Sequence, residues 1–332
     1  MKFLKLVLAY DEEEQTQQWQ DYAEKPLAEF LGSKIGFDAE LQMYIIALTL
    51  SLDGQVTTRR GLATIHKHLT SMGMFGTGFA AVYPKWGGGS EIAQVACRAG
   101  AVGGAVYMLG TGIKDVRPAT EGDEVEVELT SGVTVKTKMI VRGSEVVPED
   151  TIRVSRLVAV VGSPLSSLFE ITIEGAPTPA VAVVAIPPGS VKGEGDVTSQ
   201  YPVYVIAHSS DTGECPADQS VLYLTTIRTP ESKALLERSL DSLLAALSTD
   251  ETPKCLYQLY YEQASGQSEP QVDGQIFTFP PPSVSLAFDD STLEPVHQAW
   301  KMAMGAAADD PEVEYMKFPD REGMGDDDDV YE

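Results

Sequence analysis

Glu91, Gln94 and Arg98 stand at i, i+3 and i+7, a spacing that on an α-helix turns an acid, an amide and a guanidinium toward one side. Such a trio can exchange several charge-assisted hydrogen bonds with a polar partner surface. It contains no base-activated nucleophile, so its chemistry is recognition rather than group transfer. Gly87, Gly88 and Gly89 come just before it, a backbone able to take positive φ at little steric cost. By spacing alone the same face also describes the solvated side of an amphipathic helix. A glycine run ahead of a helix N-terminus can equally cradle a cofactor phosphate. The four histidines are His66, His68, His208 and His297. The first two, at i and i+2, diverge on a helix and cannot share one metal, so they read as structural or surface residues. No Gly-x-Ser-x-Gly motif surrounds any candidate nucleophile. Cys97, Cys215 and Cys255 are odd in number and unpatterned, which suits reduced thiols and neither a disulfide frame nor a zinc site.

The elements that must carry this trio are a loop, a helix and a strand across residues 72–109. Gly73, Gly76 and Gly78 interrupt the approach. Ser90 is placed to cap a helix whose first turn holds Glu91, and Gly103 with Gly104 closes it before a short apolar strand over residues 105–109. Ile92, Val95, Ala96, Ala99 and Val102 form one apolar stripe, expected to face a core.

This stretch resembles the Rab escort proteins and their relatives, the Rab GDP dissociation inhibitors. The resemblance is carried by Tyr83-Pro84, Gly87 to Gly89, Glu91, Gln94, Cys97-Arg98, Gly103-Gly104 and Tyr107-Met108-Leu109, in that order. It implies a platform that grips the switch regions of a GDP-bound Rab GTPase, with Glu91, Gln94, Arg98, Met108, Gly88 and Trp86 as the Rab-contacting residues. Cys97 before Arg98 is the escort-protein form; the dissociation inhibitors usually carry alanine there.

Composition bounds the alternatives. A chain of 332 residues with 43% apolar content can bury a sizeable core. A net charge of −25 argues against nucleic acid, which demands a concentrated basic surface. No run approaches the length of a membrane span, and the start MKFLKLVLAYDEEE lacks a signal-peptide cleavage region, so the sequence reads as cytoplasmic.

Three regions follow from periodicity. Residues 1–73 read as an all-helical subdomain of four short helices: an opening one around Phe3, Leu4, Val7 and Leu8, one with Pro26 at N1 ahead of Leu27, one after Asp38, and one from Thr57 or Thr58 to Met72. Residues 74–308 read as a mixed sheet and helix domain. A hairpin turns at Ser131-Gly132, with Val133 and Val135 running on to Ile140-Val141. Further strands are expected at 157–161, 169–173, 180–186, 203–207, 221–226, 255–261 and 276–279, with helices at 230–247 and 291–304 and a polar, mobile stretch at 263–275. Residues 309–332 hold eleven acidic and two basic residues and read as a disordered, solvating tail. The fold class is therefore α/β of the mixed, α+β kind.

The resemblance sharpens this to a flavin-oxidase-like sheet domain with a small helical subdomain, lacking the N-terminal Gly-x-Gly-x-x-Gly segment of the family, so that Met1 corresponds to an internal position of a longer protein. In the family the helical subdomain contacts the prenyl group or the Rab geranylgeranyl transferase. The implied function is that of an accessory, non-catalytic escort. It would bind Rab in its GDP form, present it to the transferase heterodimer and touch membranes transiently, with no cofactor, no metal and no nucleic acid. The competing classes are a flavin-dependent, amine-oxidase-like oxidoreductase, against which the missing fingerprint argues, and a Rab GDP dissociation inhibitor proper.

Overall fold

The computed structural model describes residues 2–74, 76, 83, 89–118, 124–144, 151–171, 173–191, 199–248, 251–264, 269–281, 283–286 and 292–315. In chain order its helices are α1 (Lys2–Leu8), α2 (Glu13–Trp19), α3 (Leu27–Glu29), α4 (Ala39–Ala47), α5 (Thr58–Ser71), α6 (Gly89–Val102), α7 (Ser232–Ala246) and α8 (Glu294–Met304). Its strands are β1 (Ile113–Pro118), β2 (Val125–Leu129), β3 (Thr134–Thr137), β4 (Ile140–Gly143), β5 (Arg153–Val161), β6 (Val181–Ile186), β7 (Val203–Ser209), β8 (Ser220–Ile227), β9 (Cys255–Ala264), β10 (Gln271–Asp273) and β11 (Ile276–Phe279). They form two compact units, residues 1–91 with 152–265 and 284–287, and residues 92–151 with 266–283 and 288–332.

In the first unit, α1 to α5 close around Leu6, Val7, Trp19, Leu27, Phe30, Leu31, Leu62 and Ile65. Asp38 caps α4 by accepting from the Leu41 amide at 2.8 Å, and Thr57 caps α5, each satisfying one of the orphan donors of a first turn. Pro26 precedes α3 rather than opening it, and α3 runs on into a π-turn over Phe30–Ile35 that Gly36 ends at φ +84°. Helix α2 was not legible in the sequence, because its EEQTQQW run lacks an apolar period and owes its place to Trp19, whose indole donates to the Tyr10 carbonyl at 2.8 Å. His66 is structural: its Nδ1 lies 2.9 Å from the Val7 carbonyl, and its ring leans on Tyr10. Gly61 lets α5 approach α3, since a Cβ there would sit 2.8 Å from Leu27 Cδ2.

The same unit holds a five-stranded sheet of order β6-β7-β8-β5-β9, antiparallel throughout. Side chains alternate between its faces. Leu157, Ala159, Val161, Leu222, Leu224 and Val205 share one core with Leu235, Leu236, Leu240 and Leu244 of α7. On the other face a row runs across the sheet from Val183 through Ile206, Tyr223 and Val158 to Leu259; Val183 is 53% and Leu259 47% exposed. Near one end of that face Tyr204 is buried against Leu52, Val154 and Val284 and donates to the Ser51 carbonyl at 3.0 Å. Among the described residues of 169–173 the expected strand is absent. A 3-10 turn, Ser166–Leu168, occupies the approach, and Phe169 enters the sheet core from irregular chain.

The second unit carries α6 from Ile92 onward, α8 and two three-stranded sheets, β1-β2-β3 and β10-β11-β4. Gly132, at φ +83°, turns β2 into β3 as the sequence indicates. The expected continuous strand through residues 133–141 is instead broken, because Thr137 Oγ1 bonds the Met139 carbonyl at 3.0 Å and β4 leaves to pair in parallel with β11. Strand β1 and the β10–β11 hairpin also correct the reading: residues 271–273 pair with 276–278, in the stretch expected to be mobile. Val125, Val127 and Ile140 form this unit's buried cluster. The acidic segment is described only as far as Tyr315, whose ring sits 4.6 Å from His297 and 5.2 Å from Trp300 of α8.

Candidate functional site

Helix α6 begins at Gly89, so Ser90 lies in its first turn rather than at its cap. Glu91 follows, where a carboxylate is favoured by the helix dipole. Gln94 and Arg98 stand one and two turns on, giving the single polar face expected from their spacing. Glu91 is half-buried, and Gln94 and Arg98 are exposed. Each of the three has an interaction partner. Trp86 and Gly88, together with Gly87 and Pro84, lie outside the described residues.

The apolar side of α6 departs from expectation. None of its residues is buried; Ile92 is 57% and Val95 66% exposed. Periodicity reports which side of a helix can be buried, whereas burial itself requires a second apolar surface at that place. The expected strand at 105–109 is not one either. The Gly103 amide bonds the Ala99 carbonyl at 3.0 Å, the Gly104 amide bonds the Ala101 carbonyl at 3.0 Å, and Gly104 takes φ +94°, a closing turn of the kind glycine permits. The chain then doubles back: the Tyr107 hydroxyl donates to the Cys97 carbonyl at 3.0 Å. Desolvation first, and the neighbouring Cys97 second, push the Tyr107 phenol above its usual range. Met108 is thus tethered next to a residue that is itself bonded one position before Arg98. Met108 is half-exposed and Leu109 is almost fully exposed. Tyr107 carries no signal as a tether in the sequence beyond the glycine pair that lets the chain reverse.

An acid, an amide and a guanidinium on one helical face, next to exposed Ile92 and Val95, can bind a surface that is polar at its rim and apolar within. Among the described residues no group of three or more His, Cys, Asp or Glu is placed to hold a metal ion. Of the glycine run that a phosphate cradle would need, residues 87–89, only Gly89 is described. Elsewhere, Glu214 accepts from Tyr223 at 2.8 Å and meets His208 Nδ1 at 2.9 Å, fastening the β7–β8 loop to its sheet. Ser155 bonds Ser232 at 2.6 Å and Tyr260 at 2.9 Å, joining α7 to β5 and β9. Both clusters are spent on internal bonds and present no activated nucleophile.

The architecture is that of a Rab GDP dissociation inhibitor fold. The crystal structure of a Rab GDI from Plasmodium falciparum superposes with a TM-score of 0.61 at 14% identity, over 92% of this chain and 65% of that one. The description "GDP dissociation inhibitor" belongs to the family model that matches residues 1–277, and the chain is a member of that family. It is 32% identical over 253 residues to the Rab proteins geranylgeranyltransferase component A of Saccharomyces cerevisiae, covering 74% of this chain and 40% of the relative. It is 26% identical to Rab escort protein 1 of Arabidopsis thaliana, covering 92% of this chain and 62% of the relative. The chain therefore spans less than two thirds of the length of either relative. Among the described residues no helix is long and apolar enough to cross a membrane.

Proposed function

We propose that this chain is an escort-type binding protein: it holds Rab GTPases in their GDP form and presents them to Rab geranylgeranyltransferase, with catalysis left to the transferase. The observation that carries this is the α6 face of Glu91, Gln94 and Arg98 in a member of the GDP dissociation inhibitor family, with Met108 next in the chain to the tethered Tyr107. The names of its relatives, component A of the transferase and Rab escort protein, support the escort role over a dissociation inhibitor proper. In this reading Trp86 and Gly88 belong to the same platform. Residues 1–73 act as the helical subdomain that meets the prenyl group or the transferase, residues 74–308 as the Rab-binding body, and residues 309–332 as a solvating acidic tail. The protein works in the cytosol and meets membranes only transiently.

Calorimetric titration with a GDP-bound Rab tests it. Truncating one member of a desolvated charged pair costs about 2–5 kcal/mol, much of it from the partner left unpaired. Arg98→Ala is therefore expected to weaken binding at least tenfold, about 1.4 kcal/mol, with an unchanged circular dichroism spectrum. Met108→Ala removes only apolar contact and is expected to do less. Unchanged affinity in a well-folded Arg98→Ala protein would refute α6 as the binding face.

A further inference from the structure

We propose that Gly100 and Tyr107 are a matched pair, a space and the hydroxyl that fills it, that sets the pose of residues 105–109 on the last turns of α6 and with it the pose of Met108. The pairing is a property of the chain itself; its consequence for binding rests on the Rab reading above.

Gly100 lies within the regular part of α6, where glycine costs about 1 kcal/mol relative to alanine and no special φ calls for it. Its reason is spatial. A Cβ built at Gly100 would overlap the Tyr107 hydroxyl, yet it would stand 3.5 Å from Cζ of the same ring and 3.6 Å from the Ala105 Cβ, both ordinary contacts. The conflict is thus with a single oxygen. That oxygen makes the bond to the Cys97 carbonyl at 3.0 Å, and the Ala105 amide makes a second tie, to the Gly100 carbonyl itself, at 2.9 Å. Two hydrogen bonds and one missing methyl group therefore fold residues 105–107 onto the last turns of the helix. Tyr107 does not contact the partner in this account; it is a positioning residue for Met108.

The geometry makes a compensation testable. An alanine side chain at this position forces the tyrosine ring away from Cys97, breaking the tie. If the hydroxyl is already gone, the same methyl group meets only ring carbon at normal distance and should be harmless. Amide hydrogen exchange over residues 103–107, measured on the full chain and on Gly100→Ala, Tyr107→Phe and the double variant, reads this without any partner. Tyr107→Phe, losing one hydrogen bond, is expected to speed exchange about fivefold, and Gly100→Ala by at least as much. Adding Gly100→Ala to Tyr107→Phe is expected to change nothing further, a strong non-additivity of the kind direct contact produces. Helix content should not fall in Gly100→Ala, since alanine is the better helix former. Unaltered exchange in Gly100→Ala, or an equal effect of that substitution in both backgrounds, overturns the pair. Titration of GDP-bound Rab into the same four proteins should rank them in the same order. If the cycle holds while affinity is equal in all four, the pair exists but does not position Met108 for binding, and that part of the proposal falls. If the parent chain itself fails to bind Rab, the functional reading fails, and the exchange cycle still decides the pair.

Discussion

Replacing Tyr204 with phenylalanine should destabilise the protein at neutral pH and stabilise it at strongly alkaline pH, with the two stability curves crossing near pH 11. Tyr204 is 1% exposed, and its hydroxyl donates to the Ser51 carbonyl at 3.0 Å, tying the segment after α4 to β7. Removing the hydroxyl leaves the half-buried Ser51 carbonyl without its donor, at a cost of about 1–2 kcal/mol at pH 7. Burial first, and the nearby Asp53 carboxylate second, hold the phenol neutral, its pKa pushed up to about 12 against about 10 in the unfolded chain. A raised folded-state pKa means that the unfolded chain loses its proton first. The stability from the neutral phenol is therefore complete below pH ~10 and drains away as pH rises through ~12, by roughly 1.4 kcal/mol for each pH unit within that window. The Tyr204→Phe chain has no such term, while every other alkaline titration is common to both proteins and cancels in the difference. One pH unit into the window the wild type has lost about what the hydroxyl was contributing, hence the crossing. Urea unfolding of both proteins at pH 7, 9, 10 and 11 provides the measurement. A difference that stays constant across that range would refute the account of Tyr204 as a buried, neutral donor.

The sheet core and its edge offer two further predictions. Leu236 is fully buried between α7 and the sheet, so Leu236→Ala should cost about 3–5 kcal/mol through lost burial and a residual cavity; a urea midpoint within error of wild type would show that the core is not packed as described. Strand β9 lies at the end of the five-strand order, and Leu256, Tyr257, Leu259 and Tyr261 are each at least 41% exposed, a flat apolar edge of the sort that templates association. Leu259→Lys should raise the monomer fraction in sedimentation velocity, and an unchanged distribution of species would show that this edge does not drive assembly.

Residue types and spacing alone determined the local elements with strong periods. The helix starts after Asp38 and at Thr57 or Thr58, the leucine-rich face of α7 and the β-branched runs of β5 to β8 are each specified by neighbours in sequence, because capping, helical amphipathy and strand propensity are short-range effects. The order of Glu91, Gln94 and Arg98 on one helical face follows from the same short-range geometry, as does the family resemblance that those residues and their flanking glycines carry. Tertiary structure alone decided what depends on a distant partner. The short apolar run after Gly104 could pair as a strand by composition, but a strand exists only where a second strand offers its hydrogen bonds, and the Tyr107 hydroxyl binds Cys97 instead. Strand β4 joins β11 rather than extending the hairpin because Ile140 and Val141 find Ile276 and Phe277 in parallel register, more than a hundred residues away in sequence. The apolar stripe of α6 is legible as a pattern, while its exposure is not, since hydrophobicity states a preference for burial and only the surrounding fold supplies the surface that satisfies it.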